Sequence, residues 1–155
     1  YNAITSFNGA SNRLELVYKS SETIIFKDFA HSRSKVKATT EAVRKQFPNR
    51  KLISFFELHT YSSLNPLFLE KYRDTLKHSD ECYIYYSEKN MRIKRLQPID
   101  SELIIRSFNH ISLTVIDNYE KLNKKIYDLD LSNSVLLMMS SGKFGGLDID
   151  KIKKS

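Results

Sequence analysis

The sequence predicts an α/β fold: a three-layer sandwich around a mostly parallel, Rossmann-like sheet, with an N-terminal hairpin. Three observations predict it. Apolar runs of strand length alternate with stretches of helical period from Thr23 to Met139. One of them, Lys51 to Leu58, is apolar almost throughout (Leu52, Ile53, Phe55, Phe56, Leu58), as expected for a strand buried on both faces of a parallel sheet. The first two runs, Arg13 to Tyr18 and Thr23 to Phe26, are separated only by Lys19-Ser20-Ser21-Glu22, which reads as a hairpin with a polar turn.

After the hairpin the period changes. Val36, Val43 and Phe47 recur at helical spacing with Ala38 and Ala42 between them, which predicts a helix from Ser34 to Phe47. Pro48 stops it, because the residue before a proline is pushed out of the α region. The buried strand 51–58 follows, then a loop from His59 to Leu64. Asn65-Pro66 pairs an N-cap residue with proline at the first helical position, and Phe68, Tyr72 and Leu76 supply an inward stripe at i, i+4 and i+8. Cys82 to Tyr86 is the next strand. Asp100-Ser101-Glu102 starts a helix before Leu103, Ile104 and Ile105, Ser112 to Ile116 is a strand, and Asn118 to Tyr127 is a helix. Val135 to Met139 is a last buried strand, and the chain closes on Ser140 to Gly146 and a polar helix. Repeated alternation implies right-handed crossovers.

Composition narrows the function classes. At 155 residues the chain has room for one core, so residues 1–155 are expected to form a single domain. Tyr1 opens it without an initiator Met, which reads as a piece of something longer. The one cysteine, Cys82, sits inside an apolar run; that excludes a disulfide framework and fits a reducing, cytoplasmic setting. No apolar stretch approaches the ~20 residues of a membrane helix, so no membrane partner is expected. The net charge of +7, from 25 basic and 18 acidic residues, raises the question of an anionic partner. The cations are dispersed along the chain and carry no nucleic-acid signature, so nucleotide phosphates suit that charge better than nucleic acid does.

Three loops leave the carboxyl ends of strands and hold the polar residues: Asp28 to Ser34, His59 to Ser63, and Ser140 to Gly146. In an α/β sheet such loops share one rim, where ligands bind. An acid in Asp28's position suits a ribose hydroxyl pair. Small residues before a helix N-terminus leave backbone N–H groups for a carboxylate or phosphate, although an ordinary glycine-rich connection reads the same way. His31 and His59 are able to serve as acid, base or ligand near neutral pH. No His-x-x-x-His or Cys-x-x-Cys spacing supports a metal site built by this chain. Nor is there a Gly-x-x-x-x-Gly-Lys-Ser/Thr phosphate loop, so any nucleotide must be held mainly by something else.

Four ordered motifs carry a family resemblance over roughly residues 7 to 150: Gly9 followed by Arg13-Leu14-Glu15; Asp28-Phe29-Ala30-His31; Phe56-Glu57-Leu58-His59-Thr60-Tyr61-Ser62; and Met139-Ser140-Ser141-Gly142-Lys143-Phe144-Gly145-Gly146. In this order they resemble the C-terminal domain of the Mur ligases, muramate branch, nearest the murein peptide ligases that join UDP-N-acetylmuramate to L-Ala-γ-D-Glu-meso-diaminopimelate.

That resemblance implies an ATP-dependent amide ligase of peptidoglycan precursor synthesis or recycling, working through an acyl phosphate. The N-terminal UDP-binding domain and the central ATPase domain, with the phosphate loop and most magnesium contacts, are absent from this sequence. It further implies ATP contacts from Arg13 to phosphates, from Asp28 to ribose, and from His31. Peptide-substrate contacts are implied for His59, Ser62, Ser140, Ser141, Gly142 and Lys143, with the incoming carboxylates at the last helix N-terminus. Partners would be UDP-N-acetylmuramate, the peptide and the central domain. Two departures matter. His31-Ser32-Arg33 stands where the family often has His-His-Pro, and Thr60 and Ser63 replace the arginines of the alanine-adding enzyme's His-Arg-Tyr-Thr-Arg loop, which favours the tripeptide-adding relative. The alanine-adding ligase stays open as an alternative, as does a stand-alone basic module for an anion or nucleic acid.

Overall fold

The computed structural model describes residues 14–152. It holds one six-stranded sheet in the order β1-β2-β6-β3-β4-β5, formed by β1 (Glu15–Lys19), β2 (Thr23–Asp28), β3 (Lys51–Glu57), β4 (Glu81–Tyr85), β5 (Leu113–Ile116) and β6 (Ser134–Met139). β1 and β2 pair antiparallel, as the polar turn implies; Ser20 closes it, donating its N–H to the Thr23 carbonyl at 2.8 Å and accepting the Thr23 N–H on its hydroxyl at 3.0 Å. Every other pairing is parallel.

The connections follow from the strand order. From β2 to β5 the crossovers run in one direction along the sheet and their helices cover one face. There α1 (Arg33–Gln46), a 3-10 helix (Pro66–Tyr72), α2 (Glu88–Ile93) and α3 (Ser101–Phe108) bury Val36, Val43, Leu69, Tyr72, Met91, Ile104 and Phe108 against Ile24, Leu52, Ile84 and Leu137. The chain then doubles back from β5 to β6, and crossovers of constant hand put α4 (Tyr119–Asp128) on the other face. Leu122 and Ile126 pack there with Ile25, Ile53, Leu136 and Phe144. Those two clusters make the sandwich three layers deep, as the sequence predicts. All of β6 and all but the first residue of β3 are buried, which explains their unbroken apolar character.

Three local expectations need correction. The helix after Pro66 is 3-10, not α. Asn65 caps it by accepting the Leu67 N–H at 2.9 Å, but its period of three brings Leu69 and Tyr72 inward and leaves Phe68 39% exposed, so Phe68 is not on the inward stripe. Between β4 and the helix begun by Asp100 stands α2, a segment to which the sequence assigns no element. Finally, the polar helix at the end of the chain is two single 3-10 turns, Phe144–Gly146 and Ile149–Lys151, broken between them by the extended Asp148. Gly145 and Gly146 stand at positive φ (66° and 95°), and that interrupts any longer helix.

Among the described residues, no helix is long and apolar enough to cross a membrane. Cys82 is fully buried, and burial pushes its thiol up to about 12, which makes it a core residue and no nucleophile.

Candidate functional site at the carboxyl rim of the sheet

β2, β6 and β3 are adjacent and end level: Asp28 and Phe56 both lie opposite Met139. The loops that leave them therefore meet. Ser140 N–H donates to the Asp28 carbonyl at 3.0 Å, joining the first loop to the third. Ser140 Oγ donates to Glu57 Oε1 at 2.5 Å, joining the third to the second. β2 and β3 hand the chain to one face, whereas the segment after β6 packs on the other, so the rim opens between diverging chains, the usual location of a ligand crevice in such sheets.

Asp28 is the last residue of β2 and is 6% exposed. Its Oδ2 accepts the Thr39 hydroxyl at 2.9 Å and the Ala30 N–H at 3.3 Å, so this oxygen braces α1 against the sheet. His31 lies three residues further along, before the helix begins. Its carbonyl accepts the Tyr72 phenol at 2.7 Å, and its ring joins Ser32, Arg33, Ser62, Phe68, Lys71 and Tyr72 around a cleft of 310 Å³. The structure thus groups His31 with Ser62, a residue expected on the peptide side, instead of with the Asp28 carboxylate. Among the described residues, no acid lines this cleft. Arg33 has no ion-pair partner among the described residues, and Lys71 Nζ sits 4.7 Å from the centre of the Phe68 ring. Arg13 lies outside the described residues.

The second loop is held from two sides. Lys94 Nζ donates to the His59 carbonyl at 2.8 Å and lies 4.9 Å from the Tyr61 ring, so the residue ending α2 pins the loop. Thr60 Oγ1 donates to Ser63 Oγ at 3.0 Å, and Ser63 Oγ donates in turn to the Thr60 carbonyl at 3.0 Å. These are the two positions where the alanine-adding pattern has arginines; here they close on each other and offer no cation.

The third loop is self-bonded. Gly142 N–H donates to Ser140 Oγ at 2.7 Å and Phe144 N–H to Glu57 Oε1 at 2.9 Å. The ring of carboxylate-binding amides is therefore not formed as expected: only the single 3-10 turn Phe144–Gly146 begins there, and the Gly142 and Phe144 amides are already satisfied. Ser141 Oγ is sealed from solvent and has no hydrogen-bond partner among the described residues. Lys143 is exposed. Gly142 is required by close approach: a Cβ there would lie 2.8 Å from His59 Cγ.

Glu57, absent from the sequence-derived set, is the hub of this rim. It ends β3 as Asp28 ends β2, is 3% exposed, and places Oε2 3.8 Å from His59 Nδ1. The neighbouring Tyr85 phenol is pushed up to about 12 by burial and then by the Glu57 and Glu120 charges, so it stays protonated. An acid terminating an otherwise apolar run was the available signal for Glu57. Among the described residues no group of three or more His, Cys, Asp or Glu is placed to hold a metal ion. The described residues thus offer no donor set for a magnesium centre.

No family model matches the sequence. Homologues of the chain are Mur ligases. It is 28% identical, over 97% of its length, to the UDP-N-acetylmuramate–L-alanine ligase of Lactococcus lactis subsp. lactis (strain IL1403), of which it covers 31%. Among solved structures, a murein peptide ligase from Psychrobacter arcticus 273-4 superposes with a TM-score of 0.68 at 20% identity, over 88% of this chain and 28% of that one. A domain assigned to a UDP-N-acetylmuramate:L-alanyl-γ-D-glutamyl-meso-diaminopimelate ligase from Haemophilus ducreyi 35000HP superposes with a TM-score of 0.60 at 22% identity, over 86% of this chain and 92% of that domain. Both likenesses bear on the fold. The chain spans about a third of the length of the curated relatives it matches, and a Mur-ligase C-terminal domain fits its sequence and its fold.

Proposed function

We propose that this chain is the C-terminal domain of a cytoplasmic, ATP-dependent amide ligase of the muramate branch, acting in peptidoglycan precursor synthesis, and that its rim presents the incoming amine. In this reading the parent enzyme transfers the γ-phosphoryl group of ATP to the carboxylate of UDP-N-acetylmuramate. The acceptor's amine then attacks the carbonyl carbon, the C–N bond forms, and inorganic phosphate leaves with the C–O electron pair. The UDP-binding and ATPase domains would belong to the remainder of the parent chain.

The observation that carries the proposal is the meeting of the loops after β2, β3 and β6 at one rim, beside a cleft between the first two of them whose described lining holds the cations Arg33 and Lys71 and no acid. Such a cleft attracts carboxylates, and an acceptor held by its carboxylates is oriented for attack, which removes entropy from the step. On the nucleotide side, Asp28 Oδ2 is committed to Thr39 and Ala30, which leaves ribose contact to Oδ1. Arg13 is proposed to meet phosphates and His31 to line the junction between the two substrates. His59, Ser62 and Lys143 are proposed to face the acceptor, and Ser140, Ser141 and Gly142 to shape its floor.

Two acceptors compete. The names of the sequence relatives favour L-alanine. The closed Thr60–Ser63 turn favours a longer acceptor, because the cation that pins that loop, Lys94, is engaged by the His59 carbonyl, while the cations that line the cleft, Arg33 and Lys71, come from other elements and would suit the distal carboxylates of a peptide such as L-Ala-γ-D-Glu-meso-diaminopimelate. The test is phosphate release by the parent enzyme with UDP-N-acetylmuramate, ATP and either acceptor. Faster release with the tripeptide is expected. Turnover with L-alanine alone selects the other acceptor, and no release with either rejects the ligase reading.

A further inference from the structure

One buried charge on the rim has no part in the reading above. Glu57 lies at the end of β3, between β6 and β4, and its two carboxylate oxygens serve different loops. Oε1 takes the Ser140 hydroxyl at 2.5 Å and the Phe144 N–H at 2.9 Å, while Ser140 Oγ takes the Gly142 N–H at 2.7 Å. One oxygen therefore fixes the loop at residues 140, 142 and 144. Oε2 faces His59 Nδ1 at 3.8 Å, and the His59 ring lies where a Gly142 Cβ would stand. Removing a carboxylate from water is costly unless donors replace the water. Two short donors do so here, and they come from the segment that floors the rim.

We propose that Glu57 is a positioning residue: through Oε1 it sets the height of the 140–144 loop under the acceptor, and so controls acceptor binding without touching ATP. This rests on the ligase reading for its kinetic consequence, but its structural half is independent of it. A buried acid serving only stability would weaken every substrate alike when lost; a loop-setting acid weakens one. The two oxygens also separate by substitution. Glu57→Gln keeps an acceptor oxygen for Ser140 and Phe144, whereas Glu57→Ala removes it.

In the parent enzyme, Glu57→Ala is expected to raise KM for the acceptor by ~10- to 100-fold while KM for ATP stays within about twofold, and Glu57→Gln to recover most of the loss. Ser140→Ala, which removes one arm of the hub and keeps the buried acid, is expected to act in the same direction more weakly and serves if Glu57→Ala does not fold. Amide hydrogen exchange gives a readout free of activity: Gly142 and Phe144 should exchange faster in Ser140→Ala and Glu57→Ala, respectively, and Phe144 should be restored in Glu57→Gln. Equal rises in both KM values, an unchanged acceptor KM, or a Gln variant as impaired as the Ala variant overturns the proposal. If the wild-type enzyme ligates neither acceptor, the ligase reading fails; unchanged exchange at both amides then overturns the positioning role as well, and the expected exchange pattern upholds it.

Discussion

Asp28 and Glu57 end the two strands that flank β6 as buried acids, and their bonds separate their roles. Asp28 is tied backwards to Thr39 of α1 and Glu57 forwards to the 140–144 loop. Replacing Asp28 with alanine should therefore do more than alter nucleotide use. It leaves the Thr39 hydroxyl and Ala30 N–H without their acceptor and should cost about 1–3 kcal/mol, seen as a lower urea midpoint at unchanged slope. An unaltered midpoint would show that the bracing is dispensable. Gly142→Val should raise the acceptor's KM more than that of ATP, because the new side chain must displace the His59 ring. Equal effects on both substrates would count against that placement of the loop.

At the scale of elements, the 3-10 helix Pro66–Tyr72 gives a direct test of phase. Leu69 is fully buried and Phe68 faces solvent, so Leu69→Ala should cost about 2–5 kcal/mol and Phe68→Ala within about 0.5 kcal/mol, by denaturant unfolding. Parity between them would restore the α-helical stripe. The sequence does not show this phase, because Asn65-Pro66 starts either helix type, and an i, i+4, i+8 set does not reveal a period of three. The strands were legible because burial on both faces leaves a continuous apolar signature; α2 was not, since its six residues, Glu88–Ile93, are mostly polar. Meeting of the three loops was also legible, being a property of strand ends, but Glu57 went unnoticed inside the run that made β3 readable. The opposite end of the sheet has its own electrostatic clasp. Burial alone would raise the Asp80 carboxyl, but the Leu52 N–H, the Arg44 guanidinium and Lys51 together hold it below the usual carboxylate range. A carboxyl lowered in the folded state stabilises it above the ordinary value near 4, and loses that contribution as pH falls through the folded value. The urea midpoint should fall as pH drops below about 4, and less steeply in Asp80→Asn; identical pH dependence would remove Asp80 from the account.

For the molecule as a whole, one sheet packed on both faces gives a folding unit, whereas the proposed chemistry needs a phosphate loop that this sequence lacks. The 155-residue chain should unfold cooperatively and release no phosphate from ATP with UDP-N-acetylmuramate and either acceptor. Measurable turnover by it would overturn the division of labour. The placement of β6 has a consequence for biosynthesis. This last strand fills the gap between β2 and β3, so a nascent chain that has reached only residue 133 holds two strand groups with open, sticky edges and nothing to join them. Closure must await translation of β6 itself, and a premature stop codon upstream of Ser134 would yield an aggregation-prone product in place of a smaller working protein.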